Sequence, residues 1–233
     1  MLGKAQVVDL TQTQTDSVSA GGAQERARPD GGENERNNTG ERVPATGELG
    51  TLLNLPSVVL KGKPTVAQIP ARDLLAHAVV VDFASRVAQM ADYRLTVEDL
   101  RMWERRNGRI PRDSMVLFHT GWSRRWNGGD PARYLNLDPQ GVPRVPGISL
   151  GAIAFLINER DIRGVGLDTW IPVVAAGVSG GEDGTRALLY AEKWQLANLT
   201  NLDRLPTKGA KLVIAPLRLD AGSAPARVIA ILP

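Results

Sequence analysis

Two histidines, His77 and His119, and no cysteine bound the chemistry open to this chain of 233 residues. Without cysteine there is no thiolate nucleophile, no sulfur ligand for a metal and no disulfide. The two histidines do not stand in an H-x-x-x-H or H-x-H spacing, which would bring two imidazoles to one ion, so a histidine-rich metal centre is excluded. His119 closes an apolar run just before Gly121-Trp122. The carboxyl end of a strand is where a side chain reaches a pocket in an α/β sheet, so His119 reads either as an acid–base group or as a hydrogen-bonded structural imidazole. His77 precedes an apolar strand and reads as structural. Asp168 ends Gly164-Val165-Gly166-Leu167 and is followed by Thr169-Trp170. Its carboxylate and the Trp170 indole can face one cleft, or the carboxylate can cap the following turn. No G-x-S-x-G elbow, Walker loop or G-x-G-x-x-G turn occurs, and Gly177-Val178-Ser179-Gly180-Gly181 lacks the strand and helix such loops need.

The elements that must position these residues are mixed. Short apolar runs at Val58–Leu60, Ala78–Phe83, Met115–Thr120, Gly164–Asp168, Lys211–Ala215 and Arg227–Leu232 read as strands, and Ala5–Leu10 as a first one. Thr96-Val97-Glu98-Asp99 opens a helix with a side-chain cap and an acidic first turn, Leu100 and Trp103 share its face, and Asn107-Gly108 ends it. Further helices are expected from Ser149 to Arg160 and from about Thr185 to Glu192, the last with Leu188 and Leu189 inward. Alternation of the two element types predicts an α/β fold, a mixed sheet core flanked by helices. Residues 11–47 are almost devoid of apolar side chains and read as a polar loop, lid or disordered insertion between the first strand (1–10) and one α/β domain (48–233).

Composition narrows the function. A chain of 25.1 kDa hides about 70% of its unfolded surface on folding, enough for a full core. The opening Met1-Leu2-Gly3-Lys4 lacks the apolar core of a signal peptide, and no later stretch reaches membrane-spanning length, so a cytoplasmic protein without membrane contact is expected. A net charge of +3 with acids and bases interspersed gives no electrostatic footprint for nucleic acid. A small-molecule substrate or a protein partner remains.

Several segments together resemble the cyclase family of metal-dependent hydrolases, the group that contains bacterial kynurenine formamidase and isatin hydrolase. They are Val8-Asp9-Leu10-Thr11, Gly50-Thr51 with Pro56, Thr65-Val66-Ala67-Gln68-Ile69-Pro70, Ala78-Val79-Val80-Val81-Asp82, Leu95-Thr96-Val97-Glu98-Asp99-Leu100, Thr120-Gly121-Trp122, Gly164–Thr169, Asn198–Leu202 and Gly222–Val228. The resemblance implies a swivelling β/β/α fold, usually a homodimer or homotetramer. It also implies a signature H-x-G-T-H-x-D-x-P-x-H that supplies metal ligands and a general-base histidine, with a further His and Glu later in the chain.

Here that stretch reads Glu48-Leu49-Gly50-Thr51-Leu52-Leu53-Asn54-Leu55-Pro56-Ser57-Val58. Gly50, Thr51 and Pro56 keep the frame. The ligand positions carry Glu48, Leu52 and Asn54, the base position Val58, the later Glu position Ala197 and the later His position Thr185. Leu52, Val58 and Ala197 have no donor atom, so no metal and no other cofactor is expected. The expectation is a drier pocket used by a metal-independent cyclase or dehydratase, with Glu48, His119 and Asp168 as acid–base groups. Asn54 and Thr185 would bind substrate oxygen, Trp122 and Trp170 would be its walls, and Leu52, Val58 and Ala197 its apolar lining. A catalytically silent family member that binds a ligand or a partner protein, and a retained amide hydrolase, are the alternatives.

Overall fold

The protein is described by a computed structural model covering residues 6–13, 50–128, 134–170 and 184–233. Its centre is a sheet closed on itself. Strands β1 (Val7–Asp9), β2 (Leu52–Asn54), β3 (Leu75–Asp82), β5 (Ser114–His119), β7 (Gly164–Leu167), β8 (Trp194–Ala197), β9 (Lys208–Pro216) and β10 (Ser223–Ile231) pair in the order β1-β10-β2-β8-β7-β5-β3-β9, and β9 returns to β10. Seven strands thus form a barrel with β1 laid on the outside edge of β10. The run β3, β5, β7, β8 is parallel and the remaining pairs are antiparallel. A two-stranded parallel pair, β4 (Arg94–Leu95) and β6 (Gly147–Ile148), stands apart from it.

Alternation of side chains sorts the apolar residues into two layers. Ala76, Ala78 and Val80 of β3, Met115 and Leu117 of β5, Leu53 of β2, Leu212 and Ile214 of β9 and Ala224, Ala226, Val228 and Ala230 of β10 fill the barrel. The alanine series on β10 keeps that interior narrow. Val79 and Val81, Val116 and Phe118, Val165 and Leu167, Leu52 and Ala197 point outward into a second core. Helices cover this outer layer on the parallel half: α2 (Val97–Asn107), α3 (Leu150–Asn158) and α4 (Gly184–Tyr190). Strands buried on both faces read as unbroken apolar runs, which is why β3 and β5 were legible. Among the described residues the outer face of β9 and β10 has no such cover and alternates, with Lys211 and Arg227 exposed.

Local signals place the helices. Thr96 caps α2 with its side chain, accepting from the Asp99 N–H at 3.3 Å, while Asp99 accepts from the Thr96 N–H at 2.9 Å. Ser149 caps α3 by accepting from the Ala152 N–H at 3.2 Å. Leu188 and Leu189 of α4 are buried as expected. The expected strand Val58–Leu60 is not one: Pro56 fixes its own φ and starts a 3-10 turn over Pro56–Val58, and the strand lies just before it at Leu52–Asn54. Strand β8 and the short helix α1 (Ala84–Gln89) carried no sequence expectation. Thr11 is not yet loop, since it forms a bridge with Leu199; residues 14–47 of the expected polar segment lie outside the described residues. No helix among the described residues is long and apolar enough to cross a membrane.

Candidate functional site

The parallel strands β3, β5, β7 and β8 all end on one side of the barrel, and the residues singled out by sequence follow them. Asp168 comes directly after β7 and is fully buried. Its carboxylate accepts from the Thr120 N–H at 3.0 Å, the Thr120 hydroxyl and the Gly121 N–H at 2.9 Å. Gly121 has φ 75°, a left-handed value that glycine adopts without strain. Asp168 therefore pins the turn that leads from β5 into the 3-10 segment Trp122–Gly128. Burial pushes its carboxyl above the usual carboxylate range, against the pull of these hydrogen bonds and of His119.

Around that pin lies a buried polar frame. The Tyr134 hydroxyl donates to Asn198 Oδ1 at 2.8 Å, and Asn198 Nδ2 donates to the Gly50 carbonyl at 2.8 Å. The Thr51 hydroxyl donates to the Asn198 carbonyl at 2.7 Å and accepts from the Gln12 N–H at 2.9 Å. Asn198 has φ 56°, a left-handed value tolerated by asparagine. Burial raises the Tyr134 phenol well above its ordinary pKa, and the nearby Asp168 charge adds to this. Trp122 donates its indole N–H to the Tyr134 carbonyl at 2.8 Å and is itself buried, and Trp126 meets the Tyr134 ring edge to face at 5.0 Å. Trp170 is half-buried against the outer core. Two polar atoms beside this frame, Gln12 Nε2 and Thr169 Oγ1, are buried without a hydrogen-bond partner.

The signature positions sit on the outward face of β2 and β8. Leu52 is the cross-strand partner of Ala197, and Asn54 that of Gln195. Leu52 and Ala197 are 6% and 1% exposed. Asn54 Nδ2 donates to Gln195 Oε1 at 3.2 Å, and the Ser223 hydroxyl donates to Asn54 Oδ1 at 2.6 Å. Val58 ends the 3-10 turn, half-buried, against Gly222, where an added Cβ would come within 2.8 Å of the Val58 side chain.

A divalent ion needs several His, Cys or carboxylate donors converging on it. Leu52, Val58 and Ala197 bring none, and the Asn54 amide is already used on both sides. These residues do not fit a metal ion, and among the described residues no group of three or more His, Cys, Asp or Glu is placed to hold one. Glu48 lies outside the described residues, as does the side chain of Thr185.

Of the predicted site residues the structure brings together Leu52, Asn54 and Ala197, with Asp168 and Trp122 in the neighbouring frame. His119 stands near enough to Asp168 to act on its carboxyl but apart from Leu52, Asn54 and Ala197. It is the cross-strand partner of Asp82, and its side chain lines a cavity with the inward-facing Val80 and Leu202, across the sheet from Leu52. His77 is exposed. Sequence reasoning missed Tyr134, Gln195 and Ser223. Gln195 was findable, as the residue two before Ala197 and therefore on the same strand face. Tyr134 follows residues 129–133, a stretch without periodicity, and carried no local signal.

Residues 8–172 match the family model of the cyclases. The chain is 34% identical over 165 residues to an isatin hydrolase of Roseibium aggregatum, a match that covers 69% of this chain and 60% of that protein. Among solved structures, isatin hydrolase A from Ralstonia solanacearum superposes with a TM-score of 0.82 at 30% identity, over 99% of this chain and 93% of its own. Isatin hydrolase A from Labrenzia aggregata, bound to benzyl benzoate, gives 0.80 at 33% identity, over 98% and 94%.

Proposed function

Since the chain belongs to the cyclase family, we propose that it is a small-molecule enzyme of that family which works without a metal ion, as a cyclase or dehydratase of a specialised biosynthetic pathway. One observation carries this reading: the pairing of Leu52 with Ala197 on the buried outward face of β2 and β8. Two positions that hold metal donors in the family's pattern here face each other as alkyl groups. Metal-activated water has no support at such a face, whereas an apolar wall favours folding a flexible substrate against itself. Alignment of two reacting groups is worth about 7–11 kcal/mol in the best intramolecular models.

Polar guidance comes from the frame beside this wall. Gln12 Nε2 and the Thr169 hydroxyl are donors without partners, suited to a substrate carbonyl or carboxylate. Glu48 and Asp168 are the acid–base groups of the proposal, Asp168 through a carboxyl that burial keeps ready to hold a proton. The aromatic ester seen with the Labrenzia aggregata enzyme suggests a substrate of similar size with a planar ring. The experiment is a metabolite comparison by mass spectrometry between the native host, a strain lacking this gene and the restored strain. A precursor that accumulates with the mass of the lost product identifies an isomerising ring closure, and a difference of one water identifies a dehydratase or hydrolase. An unchanged metabolite profile contradicts the enzyme reading.

One feature favours a second reading, that the pocket binds a ligand without converting it. On the outward face of β2 and β8 the described side chains are Leu52, Asn54, Gln195 and Ala197, none of which titrates. Binding of a ligand by the purified protein with no turnover over hours would select it.

A further inference from the structure

His119 plays no part at the face of Leu52 and Ala197, yet it is nine-tenths buried in a cavity of its own. The cavity, about 240 Å³, opens where β3 runs past the end of β9, and the segment Leu202–Thr207 forms one wall of it. Its polar lining is Asp82, His119, Asp203, Asn107 and Thr207, set among Val80, Trp103, Leu202 and Leu205. His119 Nδ1 lies 3.1 Å from Asp82 Oδ1 but off the line of a hydrogen bond, and is buried with no partner. With Nδ1 turned to Asp82, Nε2 is the ring nitrogen left for a ligand.

Among the described residues two carboxylates line the cavity and no lysine or arginine does. Lys208 Nζ stands 5.2 Å over the Trp103 ring, and its three donors are taken by the carbonyls of Asn107, Gly108 and Arg109 at 2.7, 2.8 and 2.9 Å. Arg124 reaches Asp203 only at 4.0 Å. A cavity this small, with an imidazole acceptor, two carboxylates and aliphatic walls, matches a cation that donates several hydrogen bonds and carries a short apolar tail.

We propose that this cavity is a second ligand site, separate from the face of β2 and β8, and that it takes a small organic ammonium. The ammonium donates to His119 Nε2 and to Asp82 and Asp203, and its alkyl part packs on Val80, Leu202 and Leu205. Both carboxylates are more than half exposed, so salt weakens the site.

The test is titration of the full-length protein with propylammonium at low salt, followed by NMR of the histidine ring Cε1–Hε1 signals, with 1-propanol and propionate as comparators. The chain has only two histidines, and exposed His77 at the other end of β3 serves as the internal reference. The expected result is a saturable shift of the His119 signal alone, produced by propylammonium and not by the comparators. In Asp82→Asn the half-saturation point should rise about tenfold, the loss of one charged partner. The Trp103 indole signal, from an N–H that donates to the Val80 carbonyl at 3.1 Å, reports whether that variant keeps the fold; if it does not, Asp203→Asn is titrated with the same expectation. No saturable shift, equal shifts with propanol or propionate, or unaltered half-saturation in the folded variant would each overturn the proposal.

Discussion

Asp168→Asn separates a structural pin from a catalytic acid. In the wild type, one carboxylate oxygen accepts from the Thr120 N–H at 3.0 Å and from its hydroxyl, and the other accepts from the Gly121 N–H at 2.9 Å. Asparagine keeps one acceptor and turns an NH2 toward one of the two backbone donors. A buried donor without an acceptor costs about 1–3 kcal/mol. Removing the desolvated charge returns part of that, so the net loss is about 2 kcal/mol. For a chain of this size that is ~4–8 °C in Tm. Asp168→Ala leaves both backbone donors unpaired and should cost more.

The pH dependence fixes the sign. Burial raises the folded-state pKa of Asp168 above its unfolded value, so the native state holds the proton more tightly. Wild-type stability from this group is therefore greatest below the ordinary carboxylate pKa and falls as pH rises through the folded-state value. Thermal melts at a series of pH values should show the gap between wild type and Asp168→Asn narrowing as pH rises. A Tm within about 1 °C of wild type across the series, or a gap that widens with pH, would refute the reasoning.

Other outcomes follow from the same geometry. Glu104 accepts from Arg160 at 2.7 Å through each oxygen and from the Ile110 N–H at 2.8 Å, which holds its carboxyl below the ordinary 4.5. That stability is present above the unfolded pKa and lost as pH falls through the folded one, so Glu104→Gln should lower Tm at pH 7 and flatten the acid limb of the stability profile below about pH 4.5. Gly164 sits on the Trp194 carbonyl, whose carbon would be 2.8 Å from an added Cβ, whereas at Gly166 the contacts are the ends of Leu117 and Leu199 at 2.7 Å. Gly164→Ala should thus cost more than Gly166→Ala, the latter about 1–3 kcal/mol by urea unfolding, because side-chain ends can move and the backbone cannot. Restoring the family pattern with Glu48→His, Leu52→His, Asn54→Asp, Val58→His and Ala197→Glu together should let the protein retain zinc through gel filtration, measured by mass spectrometry. Leu52→His alone should retain none and lose about 2 kcal/mol, for an imidazole placed in an apolar layer.

Much of this architecture was readable where burial on both faces leaves a continuous signal, as in Ala78–Asp82 and Met115–His119, and where a cap announces a helix, as at Thr96 and Ser149. It failed where the signal is short. Leu52-Leu53-Asn54 spans three residues and Trp194-Gln195-Leu196-Ala197 carries a polar residue in the buried register, so neither strand stands out, while Val58–Leu60 has the apolar run of a strand but follows directly on a turn that Pro56 starts. The backbone positions Gly50, Thr51 and Pro56 were found through the resemblance, and their role is plain once Asn198 is seen holding Gly50 and Thr51. Which face of the barrel a residue occupies could not be read from sequence. His119 and Leu52 share a site in one dimension and stand on opposite faces of the sheet in three.

The most direct test of a metal-free reaction uses the precursor that accumulates in the strain lacking the gene. Purified protein is dialysed against a chelator, its metal content is confirmed to be far below one ion per chain, and conversion is followed by mass spectrometry with and without added zinc or manganese. The proposal predicts the same rate in all three conditions. Activity that disappears on chelation and returns with one equivalent of either metal would contradict it.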